Sequence, residues 1–466
     1  MGVRNLPTGL RAAAGEFLNL RQQKAAGRVT LENRPVSAAP SADGFQYLSD
    51  IHFGRNGSNM SAGTSPGTES IRGQNLSRIL TLLHRRGPLS RADLTRLCGF
   101  NRSTVGALVA ELAELGLAYE TDPPALKRVG RPSPLVHVNE RIAAIAVHPD
   151  VDAVTVGLVG LGGKVHRRVR YDAGAPPTVT ETVNISRAVV EGMQSELAGM
   201  TRIAGVGAAV PGLVTGDDGS VLLAPHLKWS DEPLAAALSA GLGLPARAAN
   251  DANLGSLAES LFGAAVGASD VVYLNGSASG IGGGAVVGGV PLRGAAGYAG
   301  ELGHTVVNPD GAACHCGRRG CLETEVSLAR LLAVLRLDHA DQDQLEAAMV
   351  QDNSPALVAE TRRQLDLLAV ALTNFVNIFN PGTIVLGGFL GVLHSFAAGR
   401  LEAAVADGAI GGLGSQVTIS RAALGSDLLL VGAAELAFAG LLADPASVGA
   451  LPQSAAPARP AVRSRG

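Results

Sequence analysis

Apolar residues at positions 71, 76, 79, 80, 82 and 83 recur at the spacing of one helix face, which predicts an amphipathic helix from Ile71 to Arg85. The stretch GPLSRADLTRLCGF follows. Ser90 with Asp93 three residues on has the spacing of a capping box, and Gly99 closes the short helix that Ser90 opens. In NRSTVGALVAELAELG, Asn101 is the expected N-cap and Gly116 the stop, with Val105, Leu108, Val109 and Leu112 on the core face. Cys98 is expected to be a small buried residue of the middle helix. Three helices, the last two joined by a tight glycine-containing turn, predict a helix-turn-helix. LAYETD and SPLVHVN then read as two strands around a loop, which makes a wing.

Beyond Arg141 the period changes. RIAAIAVH, DAVTVGLVG and KVHRRVRYD are successive strand-like runs, a helical stretch covers about 178 to 198, and RIAGVGAAV reads as a buried strand. The alternation recurs from DVVYLNG through GAVVGG to TNFVNIFNPGTIVLGG. Helices alternating with strands over about 300 residues predict an α/β body with two lobes. Residues 1–68 and 443–466 are rich in Ser, Gly, Ala and Pro and are expected to be disordered. The expected organisation is therefore a winged helix-turn-helix at 69–139 and a two-lobed domain at 140–442.

Charge sharpens this picture. The whole chain of 466 residues carries a net charge of −2, but residues 70–139 hold ten Lys or Arg against five Asp or Glu. A basic module on an acidic body suits DNA binding. Apolar residues make up 46% of the chain without an uninterrupted run long enough to span a bilayer, so no membrane span is expected. The N-terminus has no apolar core leading to a small-residue cleavage site, and the four cysteines do not suggest a disulfide framework. A cytoplasmic chain is expected.

Two stretches carry candidate chemistry. Arg102, Ser103 and Thr104 open the third helix, and the N-terminal end of a recognition helix is what enters the major groove. The wing sequence KRVGRPSP offers Arg128 and Arg131; Pro132 holds Arg131 extended, which suits insertion into a narrow minor groove. Further on, the spacing His304-x9-Cys314-x-Cys316-x4-Cys321 supplies one imidazole and three thiolates, a set that suits tetrahedral zinc with no open position. A structural Zn2+ is expected there, with His315 pointing outward. A lone Trp229 is expected to pack rather than stack on a ligand, and GDDG at 216–219 to be a hairpin tip.

AANDANLGSLAE, GIGGGAVVGGVPLRGAAGYAGELGH, CHCGRRGCLE and NPGTIVLGG, in this order, resemble the ROK family of sugar kinases and sugar-responsive repressors over about residues 70 to 440. The preceding winged helix resembles the family's repressor branch. The resemblance implies a two-lobed, actin-like or ribonuclease H-like sugar kinase fold. It also implies sugar contacts from Asn250, Asp251, Glu301, His304 and Glu323, with the PG of AAVPGLV lining the cleft. In the family's kinases the residue matching Asp251 is the general base.

This chain departs from the kinase pattern at the phosphate loops. AVHPDVDAV has no glycine where kinases carry an Asp-Gly-Gly-Thr-type turn, and Pro149 lacks an amide N–H. Ala278-Ser279-Gly280 keeps part of the second loop. The expectation is a non-catalytic, sugar-responsive repressor, a homodimer or homotetramer, whose partners are operator DNA and a sugar effector. The alternative is an ATP-dependent sugar kinase with a DNA-binding head.

Overall fold

The computed structural model describes residues 68–122, 133–292, 294, 298–397 and 399–448. The head comprises α1 (Thr68–Arg86), β1 (Leu89–Ser90), α2 (Arg91–Cys98), α3 (Arg102–Glu114), β2 (Ala118–Thr121) and β3 (Leu135–Val138), with the strands in the antiparallel order β1-β3-β2. Local chemistry sets its boundaries. The Ser90 hydroxyl accepts from the Asp93 N–H and donates to the Asp93 carboxylate, and Gly99 ends α2 at φ +69°. The Asn101 side chain accepts from the Thr104 N–H, and Gly116 follows α3 at φ +70°. Cys98 is buried, as are Val105, Leu108, Val109 and Leu112.

The body is two lobes with the same plan. The first contains β4 (Ile142–Asp150), β5 (Ala153–Gly160), β6 (Val165–Asp172), α4 (Val179–Gly192), α5 (Gln194–Ala198), β7 (Arg202–Val210), the small strands β8 (Leu213–Val214), β9 (Val221–Ala224) and β10 (Trp229–Glu232), then α6 (Leu234–Leu242), β11 (Ala246–Asn250) and α7 (Asp251–Phe262). The second contains β12 (Val271–Ser277), β13 (Gly280–Val287), β14 (Val290–Pro291), α8 (Leu322–Glu325), α9 (Leu328–Leu335), α10 (Gln342–Gln351), α11 (Pro355–Phe379), β15 (Thr383–Gly387), α12 (Gly388–Phe396), α13 (Arg400–Gly408) and β16 (Thr418–Arg421).

The first sheet runs β11-β7-β4-β5-β6 and the second β16-β15-β12-β13-β14. In each, three strands form an antiparallel meander and two more add in parallel to its first strand. This repeated plan is a mixed α/β fold in which ligands bind where strand ends of the two halves face each other.

The last helix, α14 (Leu428–Ala443), returns to the first lobe. It is apolar on nearly every side because it is a core helix, buried at Leu430, Val431, Ala433, Ala434, Leu436 and Phe438. Gly425–Ala443 is also long and apolar enough to cross a membrane, but it lies mostly inside the protein. Its approach to β7 needs a glycine: a Cβ at Gly207 would sit 1.8 Å from the Ala433 carbonyl oxygen, a backbone atom that cannot turn aside. Gly207→Ala is expected to cost about 3 kcal/mol, the upper end for overpacking, read as a lowered urea midpoint; an unchanged midpoint would contradict this packing.

Head and body share one core. Leu76, Ile79, Leu80 and Leu83 of α1 belong to the same buried cluster as Leu436, Phe438, Leu441 and Leu442 of α14. Ser77 Oγ donates to the Leu442 carbonyl at 2.6 Å. At the centre, His84 is 1% exposed; its Nδ1 accepts from the Gly162 N–H at 2.9 Å and its Nε2 lies 2.9 Å from a Glu435 carboxylate oxygen. Because Nδ1 accepts, Nε2 carries the proton that it donates to Glu435. Phe262, the last residue of α7, stands edge-on to the His84 ring at 5.3 Å.

Candidate functional site

β11 ends at Asn250, and its parallel pairing with β7 delivers this residue to the strand-end edge that faces the other lobe. Asn250 caps α7: its side-chain oxygen accepts from the Asn253 N–H and its amide donates to the Gly212 carbonyl, both at 3.0 Å. Gly212 belongs to the PG pair expected to line the cleft. Asp251 is buried at the first turn of α7, where Oδ1 accepts from the Ala252 N–H at 2.8 Å. Burial pushes its carboxyl above the ordinary carboxylate range, and the Asp150 charge adds to this while His148 opposes it.

The second lobe supplies the facing wall. Glu301 precedes a single 3-10 turn, Leu302–His304. Its carboxyl is raised by partial burial and then by the Asp251 and Glu323 charges. Glu323, on α8, places Oε1 3.3 Å from His304 Nδ1 and 3.3 Å from His315 Nδ1. Asn250, Asp251, Glu301, His304 and Glu323 all line one cleft of about 2080 Å³, which runs from the lobe junction to Arg78, Arg85 and Arg86 of α1. A chamber with convergent amide, carboxylate and imidazole groups on apolar walls is the ordinary form of a polar small-molecule site.

The ligand atoms of His304, Cys314, Cys316 and Cys321 lie within 4.8 Å of one another, so this cluster could hold a metal ion. Cys316 Sγ is 3.6 Å from Cys321 Sγ, and Cys314 Sγ is 3.6 Å from His304 Nδ1. The chain folds back between them at Gly317 and Gly320, with φ of +87° and +67°. Gly320 is confined further, since a Cβ would lie 1.5 Å from the Asn308 carbonyl oxygen. Hydrogen bonds from the Arg318 backbone and side chain bring the Cys316 thiol down to about 7, while burial raises the Cys314 and Cys321 thiols. The three sulfurs and one imidazole meet the donor count and softness of a closed tetrahedral site, and two thiols held up in the absence of an ion are what a dication would deprotonate.

The β12–β13 loop and the end of β4 are bonded to each other. The Ser279 hydroxyl, between β12 and β13, donates to the buried Asp150 carboxylate at the end of β4. Asp150 also accepts from the Val151 N–H at 2.8 Å.

At the head, Arg102 and Ser103 are exposed on the first turn of α3 and Thr104 is half-buried there; the Ser103 hydroxyl turns back to Asn101. Arg128 and Arg131 lie outside the described residues. Trp229 is buried and donates from Nε1 to the Pro177 carbonyl, so it packs. The 216–219 turn is a hairpin tip in which Asp218 accepts from the Ser220 N–H and hydroxyl. His315 is exposed and stands outside the cysteine cluster, as expected, and its ring lines the open cleft with Nδ1 3.3 Å from Glu323 Oε1. Sequence reasoning also assigned nothing to His226, which lines the cleft 4.7 Å from the His315 ring; that pairing joins residues 89 positions apart and leaves no local signal.

The model of the ROK family matches residues 144–439. A xylose repressor of Caldicellulosiruptor bescii is 29% identical over 316 residues, covering 64% of this chain and 79% of the repressor. Among solved structures, a ROK family transcriptional regulator described as a homologue of the E. coli MLC protein matches with a TM-score of 0.63 at 26% identity, over 80% of this chain and 98% of that one. A ROK family glucokinase from Streptomyces griseus, in complex with glucose and AMPPNP, matches with a TM-score of 0.53 at 27% identity, over 63% of this chain and 98% of that one. The chain belongs to the ROK family.

Proposed function

We propose that the chain is a sugar-responsive transcriptional repressor without kinase activity, in which α3 reads operator DNA and the inter-lobe cleft binds the effector. The observation that carries this reading is the pairing of a winged helix with a cleft lined by Asn250, Asp251, Glu301, His304 and Glu323, in which the Ser279 hydroxyl is bonded to the Asp150 carboxylate where the family resemblance would put phosphate. Phosphoryl transfer depends on donors and metal ions around the moving phosphoryl group, and a carboxylate in that place repels it. The likeness to a regulator over 80% of the chain, head included, supports the same reading.

In this account Asp251 accepts from a sugar hydroxyl that Asn250 helps to orient, and Glu301, His304 and Glu323 of the second lobe close the opposite side, with Glu301 accepting from another hydroxyl. His304, Cys314, Cys316 and Cys321 hold zinc, which supplies bracing rather than chemistry. The ion fixes the segment that carries His304 and Glu323, so the sugar wall is as rigid as the knot behind it. Arg102 pairs with a base edge in the major groove, and Ser103 and Thr104 reach bases or phosphates. Two heads on a two-fold axis read a pseudo-palindrome, in a homodimer or a tetramer. Arg128 and Arg131 in the wing contact the neighbouring minor groove.

Separating the two activities by mutation tests this. Arg102→Ala is expected to weaken operator binding by about 1–3 kcal/mol and leave sugar affinity unchanged, whereas Asp251→Ala abolishes the sugar response and leaves basal DNA binding. Phosphorylation of a sugar by ATP would overturn the reading.

The cleft carboxyls also set a pH dependence. A sugar hydroxyl donates to an ionised carboxylate, and Asp251 and Glu301 are both held above the ordinary carboxylate range. Sugar affinity is therefore expected to fall as pH drops through that raised range, before ordinary carboxylates protonate. The sign for stability is opposite: a carboxyl raised on folding favours the native state at low pH and loses that contribution as pH rises through its folded value. Titrating sugar affinity from neutral to mildly acid pH checks this, and an affinity that rises in acid would contradict it.

A further inference from the structure

We propose that His226, His315 and Glu323 form a second metal site, adjoining the cysteine knot through the Cys314 thiol that donates to Glu323 at 3.0 Å but using none of its four ligands, which takes a divalent transition ion and ties the two lobes together.

Three observations converge. One ligand atom from each residue lies within 4.8 Å of the others, the separation within which a single ion can meet all three. The His226 and His315 rings stand nearly perpendicular, 83° apart, with centroids 4.7 Å from each other, and His315 Nδ1 is 3.3 Å from Glu323 Oε1. His226 Nε2 is buried with no hydrogen-bond partner among the described residues. An imidazole nitrogen shut away from water without a partner is costly unless something absent from the polypeptide satisfies it.

The donor set decides the class of ion. Two imidazoles and a carboxylate suit zinc, cobalt or nickel, and are too nitrogen-rich for magnesium or calcium. Three protein ligands leave a fourth position open, and here it faces the cleft. That position suits water or a hydroxyl of a polyol.

The site spans the lobes. His226 lies in the turn between β9 and β10 of the first lobe, whereas His315 and Glu323 belong to the knot and α8 of the second. An ion there holds the cleft walls at one separation, so metal availability biases the same lobe arrangement as a cleft ligand does. Glu323 is shared with the sugar contacts proposed above, but the test of the ion needs no sugar, so failure of one reading is distinguishable from failure of the other.

The test is a cobalt titration of the metal-stripped full-length chain under reducing conditions, following thiolate-to-cobalt charge transfer and total bound cobalt. Charge transfer should saturate with the first equivalent, and a second equivalent should bind without it. His226→Ala, and the milder His226→Asn, should halve the bound cobalt with the charge-transfer band unchanged. Saturation of the wild-type chain at one equivalent would overturn the proposal, as would a full second equivalent in either variant.

Discussion

Cys321→Ser is expected to lose bound metal and at least about 3 kcal/mol of stability, because structural zinc contributes its binding energy directly to folding. Cys321 is fully buried, and the adjacent Leu322 and nearby Val326 enter the core of the second lobe. Releasing this sulfur therefore loosens the lobe as well as the knot. Glu301, His304 and Glu323 are spaced around the same segment, so sugar affinity should fall at least about tenfold, equivalent to about 1.4 kcal/mol. Metal content, a melting curve and a sugar titration on one preparation check all three. Full metal content with an unchanged melting curve would remove Cys321 from the ligand set.

Glu435→Ala is expected to cost about 1–3 kcal/mol, the penalty for leaving a buried donor without its acceptor. Its partner His84 is 1% exposed and would keep an Nε2–H with nothing to bond to. Arg85, whose charged form is already disfavoured by burial, would also lose the opposite charge that offsets it. Glu435→Gln keeps an acceptor for Nε2 and should cost less. The pair also stands at the end of α7, which begins at Asn250 and Asp251 in the cleft and ends at Phe262 against the His84 ring. One rigid helix thus touches both the effector site and the head. Glu435→Ala is accordingly expected to retain sugar binding while the sugar's effect on DNA affinity shrinks. Denaturation of the two variants and DNA titrations with and without sugar measure both effects; full coupling in Glu435→Ala would exclude this contact as the link.

The parts of the molecule legible in the sequence are those written locally. Ser90, Gly99, Asn101 and Gly116 each specify a helix end through their own side chain or their tolerance of positive φ, and the structure uses all four. The spacing of His304, Cys314, Cys316 and Cys321 likewise places its donors on one short fold-back. Long-range features were not legible. That α14 would return to pack on β7 and on the head depends on Gly207 and on a core assembled from residues hundreds of positions apart. The hydrogen bond from Ser279 to Asp150 joins two segments 129 positions apart, which no local pattern marks. That the exposed His315 would meet Glu323 and His226 in the cleft was not legible, because His226 lies 89 positions away.

The most direct test of the central claim is the affinity of the full chain for DNA that it has itself selected from a random pool, measured by fluorescence anisotropy against a panel of free sugars. The account predicts a salt-sensitive complex on a pseudo-palindrome whose affinity changes at least about tenfold with one sugar, a change absent from Asp251→Ala. A complex indifferent to every sugar, or a chain that selects no DNA, would contradict it.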